Sequence, residues 1–97
     1  MPDIKFEWNE KKNSLNKRKH GLSFAEAQTA FGDENGLLLH DPDHSRQEED
    51  RFILLGLSAK LRLVVVSHTY KKEDAIIRII SARKATRSEQ SQYWNRW

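Results

Sequence analysis

The chain has 97 residues, 37% hydrophobic and 32% charged, with a formal net charge of +3, enough for one modest core and too little for two. It contains no cysteine, which excludes disulfides, iron-sulfur clusters and thiolate zinc sites and suits a reducing cytoplasm. No apolar leader opens it, and an apolar run such as Leu63 to Val66, unsurpassed in length along the chain, is far short of the ~20 residues a membrane helix needs, so a soluble cytoplasmic protein with no membrane partner is expected.

Ile4, Phe6 and Trp8 alternate with Lys5 and Glu7, the period-two pattern of a short half-buried strand. Asn9 as N-cap and Gly21 as stop bracket a helix over Glu10 to His20. Its only apolar residue is Leu15, so it cannot be held mainly by burying a stripe. Lys12, Asn16 and His20 line up on one side with Lys19 beside them. Two readings stay open: a solvated helix pinned by Trp8, Leu15 and Leu22, or a stripe that faces a ligand. Ser23 and Glu26 then form a capping box, and Phe24, Ala27 and Phe31 repeat at helical spacing until Gly32.

From Leu37 the period changes. Leu37 to His40 reads as a short strand, Asp41 to Asp50 as an acidic loop broken by Pro42, and Arg51 to Ser58 as a second strand. Ala59 and Lys60 make a tight turn into a long strand over Leu61 to Tyr70, and Lys71 to Asp74 turn into the last strand, Ala75 to Ala82. Such short connections imply hairpins and an antiparallel meander. Both faces of Leu61 to Tyr70 are apolar in the middle, so both are covered there. A final helix over Thr86 to Trp97 opens on a Thr86–Glu89 capping box and sets Gln90, Tyr93, Trp94 and Trp97 on one side. The expected fold is α+β: an N-terminal helical hairpin packed on a four-stranded, mainly antiparallel sheet with a C-terminal helix, one domain over residues 1–97.

Both ends of the chain are basic and the Asp41 to Asp50 segment is acidic, an asymmetry that favours a polyanionic partner such as nucleic acid. His40-Asp-Pro-Asp-His44 has the residue types of a metal site, but Asp and Pro are ordinary turn residues, and a functional metal is not expected. No P-loop, dinucleotide fingerprint or Ser-His-Asp pattern is present, so no cofactor is expected. The cations are more informative. Arg51 and Arg62 start strands, while Arg78, Arg83 and Lys84 lie in and after the isoleucine-rich last strand. Guanidinium forks pair bidentately with phosphate oxygens. Arg78, set among isoleucines, must either pair with a carboxylate or reach an anionic ligand.

Phe6-Glu-Trp8, Lys12, Asn16, Lys19-His20-Gly21, Phe24 and Ala27, then Arg51, Gly56 and Arg78-Ile-Ile-Ser-Ala-Arg83 with Ala85, Glu89 and Tyr93 resemble the BrnT family over nearly the whole chain. The resemblance implies a RelE-like fold and an endoribonuclease toxin that inhibits translation. It also implies a BrnA-like antitoxin that neutralises the toxin and through which alone operator DNA is bound. Metal-free RNA cleavage needs a base near the ribose 2′-OH, cations around the phosphate and an acid for the leaving oxygen. On this reading Arg51 and Arg83 stabilise the phosphate, His20 transfers a proton, and Tyr93 transfers a proton or stacks on a base. Lys12, Lys19, Arg62, Arg78 and Lys84 position the RNA, and His68 is a reserve base. Only the resemblance places His20 and Arg83 in one site. The alternative is a non-catalytic nucleic-acid- or partner-binding module acting in transcriptional autoregulation; a purely structural oligomerisation domain explains the polar first helix poorly.

Overall fold

In the computed structural model, which describes residues 4–46, 49–71, 73 and 75–96, the elements follow in the order β1 (Lys5–Glu7), α1 (Glu10–His20), α2 (Phe24–Thr29), a 3-10 turn (Ala30–Gly32), β2 (Leu37–His40), β3 (Phe52–Leu57), β4 (Leu63–Lys71), β5 (Ile76–Lys84) and α3 (Arg87–Trp94). Trp97 and Asp74, predicted to close the last helix and the last turn, lie outside the described residues. Strands β2 to β5 form the expected antiparallel meander. The sheet nevertheless has five strands rather than four, in the order β1-β5-β4-β3-β2, and is mixed because β1 pairs parallel to β5. The meander leaves one edge of β5 open. Phe6 covers it beside Ile77, and Glu7 lies beside Arg78, whose Nη1 donates to Glu7 Oε2 at 2.7 Å.

Helix α1 is capped as its sequence dictates: Asn9 accepts from the Lys12 amide, and Gly21 takes the left-handed conformation at φ 66°. Its attachment is not apolar, since Leu15 is 52% exposed. Asn16 is buried instead. Its Nδ2 donates to the carbonyls of Leu22 (2.9 Å) and Ala82 (2.7 Å), and its Oδ1 accepts from the Ala82 amide at 3.1 Å. Beyond the short β1, this carboxamide takes the place of a neighbouring strand along β5. Replacing Asn16 by Leu leaves buried backbone groups without partners and will cost about 2 kcal/mol in urea unfolding, whereas Leu15→Ala will change stability by about 0.5 kcal/mol or less; equal effects would refute the polar clamp.

Helices α1 and α2 cover one face of the sheet, where Leu22, Phe24, Val64, Val66, Ile79 and Ala82 form the larger core. His68 is fully buried on this side, with Nδ1 at 3.0 Å from the Val66 carbonyl and Nε2 at 3.2 Å from the Tyr70 hydroxyl. Burial pushes its pKa down, so it is a neutral core residue and not the reserve base. On the second face Tyr93 of α3, with Ala85 just before the helix, packs against Leu55 and Val65. Among the described residues no helix is long and apolar enough to cross a membrane.

Candidate active site on the second face of the sheet

A β-bulge sets the site. Ser67 pairs with Ser81 but His68 pairs with Ile79, so Ile80 is one extra residue in β5. Strand side chains alternate between faces, and one inserted residue inverts the alternation beyond it. Ile77 and Ile79 therefore point into the helix-covered core, as does Ala82, while Ser81 and Arg83 turn to the opposite side. Without the bulge, Arg83 would be driven under the helices.

Helix α3 covers only part of that second face. Beside it opens a cavity of about 220 Å³ lined by Asp41, His44, Arg51, Ile53, Val65, Ser67, Ser81 and Arg83. Arg83 is held by a fork: Nη1 and Nη2 donate to Glu89 at 2.7 and 2.9 Å, and Nη1 also reaches the Lys84 carbonyl at 3.3 Å. Glu89 is itself fixed by the capping box, accepting from the Thr86 amide at 2.8 Å. The Arg83 guanidinium, with help from the cap, holds the Glu89 carboxyl down to about 2, and Glu89 in turn raises the pKa of Arg83. The guanidinium is thus permanently charged and oriented, with donors left over for an anion.

Arg51 is arranged differently. Its Nε is buried with no hydrogen-bond acceptor among the described residues, the nearest carboxylate oxygen, on Glu49, lying 3.7 Å away. A buried donor without an acceptor is costly, and an anionic ligand would relieve it. The Asp41 to Ser45 loop is braced on the same residue. The Asp41 amide donates to the Arg51 carbonyl at 2.8 Å, and Ser45 Oγ donates to the Asp41 carbonyl (2.7 Å) while accepting from the Arg51 amide (2.9 Å). This loop carries His44 to the cavity with Nδ1 2.8 Å from Asp41 Oδ2. His40 is held apart, 3.4 Å from Asp50. Among the described residues no group of three His, Cys, Asp or Glu could hold a metal ion.

Of the residues singled out from the sequence, the cavity brings together Arg51 and Arg83. His20 ends α1 and does not line it. Tyr93 is 2% exposed, and its hydroxyl donates to Asp33 at 2.5 Å. Burial and the Asp33 carboxylate push its pKa up to about 12. A ring so buried cannot stack on a base, and a phenol so weakly acidic is a poor proton donor; Tyr93 locks α3 to the sheet. Asp33 is pushed up by burial, but hydrogen bonds from Tyr93, Leu57 and Asn35 outweigh this and leave it below its usual value.

Arg62 does not stand free for RNA. Its Nε donates to Glu26 Oε2 at 2.8 Å and its Nη2 to Glu26 Oε1, and Ser58 Oγ donates to the same carboxylate at 2.8 Å. Glu26 is therefore no capping-box partner of Ser23, whose side chain caps the helix alone; its carboxylate ties α2 to the β3–β4 turn. Arg78 takes the carboxylate alternative, through Glu7. Lys12 and Lys19 are exposed on α1. Lys84 and Arg62 share a separate cavity of about 340 Å³ with Leu61 and Trp94. Nothing in the sequence pointed to Ser67 and Ser81, and it offered Asp41 and His44 only as metal ligands. The Asp41–His44 spacing across Pro42 was the available signal.

The family model described as ribonuclease toxin, BrnT, of type II toxin-antitoxin system matches residues 8–89. Among solved structures, the 1.1 Å crystal structure of the Brucella abortus ribonuclease toxin BrnT has a similar fold, with a TM-score of 0.61 and 23% sequence identity, covering 87% of this chain and 99% of that chain. No curated protein sequence matches the chain. The match runs from Trp8, just after β1, through the four strands β2 to β5 to Glu89, the residue that holds Arg83. The chain belongs to the BrnT family of ribonuclease toxins of type II toxin-antitoxin systems.

Proposed function

We propose that this ribonuclease toxin is a metal-independent endoribonuclease that cuts RNA in the cavity beside α3, thereby inhibits translation, and is neutralised by a BrnA-like antitoxin. Membership of the family implies an RNA substrate and a cognate antitoxin. The observation that carries the finer reading is the convergence on one cavity of Arg83, oriented by Glu89, and Arg51, whose buried Nε has no acceptor among the described residues. Two guanidinium groups at fixed positions can neutralise the charge that builds on a phosphorane-like transition state. A pair of helices on one sheet face and a short helix on the other support a RelE-like fold, and the lack of cysteine supports action in the cytoplasm. Operator DNA would be reached only through the antitoxin.

The purified chain should cleave single-stranded RNA internally in excess EDTA, and its expression without the antitoxin should stop growth and protein synthesis. The antitoxin should restore both and suppress cleavage in vitro. Cleavage abolished by EDTA and restored by a divalent ion would overturn the metal-free mechanism. A chain that binds RNA without cutting it would point to the non-catalytic module.

A further inference from the structure

We infer that His44, oriented by Asp41, is the proton-transfer residue of this cavity, an inference that rests on reading the cavity as the ribonuclease site. An ionised carboxylate can only accept, so the 2.8 Å contact from Asp41 Oδ2 requires the proton on Nδ1 of His44. The neutral imidazole then keeps its lone pair on Nε2, the form a general base needs. Exposure divides the labour. The Asp41 side chain is 12% exposed and the His44 side chain 68%, so the carboxylate is an anchored support and the ring is open to a substrate. The loop is braced on Arg51 by two hydrogen bonds, and a third, from Ser45 Oγ to the Asp41 carbonyl, closes the loop on itself. The imidazole is therefore positioned relative to the phosphate-binding cation, not merely tethered near it.

The chemistry follows from the substrate. Nε2 of His44 takes the proton of a ribose 2′-hydroxyl, and the 2′-oxygen bonds to the adjacent phosphorus. The P–O5′ bond then breaks, its electron pair leaving on the 5′-oxygen, which is protonated from solvent. Arg51 and Arg83 hold the non-bridging oxygens. Asp41 stabilises the imidazolium that forms and is a positioning residue. The products are a 2′,3′-cyclic phosphate and a 5′-hydroxyl, and a strand with a 2′-deoxy sugar at the cut is not cleaved. Among the described residues, the charged groups that share the cavity with His44 are Asp41 on its own loop, Arg51 before β3 and Arg83 on β5, with Glu89 of α3 behind Arg83.

The test is single-turnover cleavage of an RNA oligonucleotide by His44→Ala, His44→Gly, Asp41→Asn and Arg83→Ala proteins, with melting temperature and RNA affinity measured on each. His44→Ala should melt and bind RNA like the parent while cleaving about a hundredfold more slowly, and free imidazole should partly restore His44→Gly. Asp41→Asn, which no longer fixes the proton on Nδ1, should lose about tenfold in single-turnover rate while binding RNA with the parent's affinity. A His44→Ala protein at the parent rate with Arg83→Ala inactive would overturn the dyad and leave the site standing. Parent rates in both would remove the site itself. A slow His44→Ala protein that melts early, together with a His44→Gly protein that imidazole does not restore, would make His44 structural and overturn the inference.

Discussion

Arg83→Ala will be folded, will bind the antitoxin, and will cleave RNA on the order of a hundredfold to a thousandfold more slowly than the parent. The small cost to folding follows from its partners. Arg83 is partly exposed, its ion pair with Glu89 is screened by water, and such pairs contribute about 1 kcal/mol or less. Glu89 keeps the Thr86 cap after the guanidinium is gone, so α3 still starts where it does. The large cost to rate follows from electrostatics, because a fixed guanidinium acts most strongly on charge that appears only in the transition state. Arg83→Lys keeps the charge but loses the fork and should recover only part of the activity. A well-folded Arg83→Ala protein that cuts at the parent rate would take the cavity out of the reaction.

The largest expected loss of stability lies in the first turn of α2. Glu26→Leu will lower the unfolding free energy by about 3 kcal/mol and the melting temperature by roughly 15 °C. Its buried carboxylate is where Arg62 and Ser58 converge, so α2 loses both of these ties to the β3–β4 turn at once and keeps the one from the Ala59 amide to Thr29 Oγ1. The Arg62 hydrogen bond, against the opposing effect of burial, holds the Glu26 carboxyl below its ordinary value of 4.5. A depressed folded-state pKa contributes stability that is complete above the unfolded value and is lost as pH falls through the folded one. The parent should therefore weaken below about pH 4.5, and Glu26→Leu should lack that part of the acid dependence. A variant that melts with the parent would show that this ion pair does not hold the turn, and would return Arg62 to the RNA-binding set.

These two residues mark how far the sequence could be read. That Arg83 follows a β-branched run and precedes a Thr86–Glu89 cap was legible, because runs and caps are local. That the same Glu89 also grips Arg83 was not, since a capping box is recognised without asking what else its carboxylate meets. Glu26 was misread for the same reason: Ser23 stands at the right spacing, but Arg62, 36 residues on, offers the stronger partner. Arg51 and Arg83 could be named from their guanidinium chemistry. The His44–Asp41 pair could be seen as spacing, but not as a neighbour of Arg83, because loops are placed by the strands they join.

By itself, the sequence determined the helix caps at Asn9, Ser23 and Thr86, the hairpins from β2 to β5, the two apolar faces of β4 and the family resemblance. Each of these depends on residues within a few positions of one another or on a motif preserved in order. Only the tertiary structure decided that β1 closes the sheet parallel to β5, that Asn16 rather than Leu15 fastens α1, and that Tyr93 is a buried strut. It alone decided that one extra residue at Ile80 turns Arg83 to the open face. The physical reason is common to all four. A strand edge, a buried carboxamide, a phenol and a bulge are selected by partners far away in the chain, and a side chain's face can be assigned only once those partners have set the register.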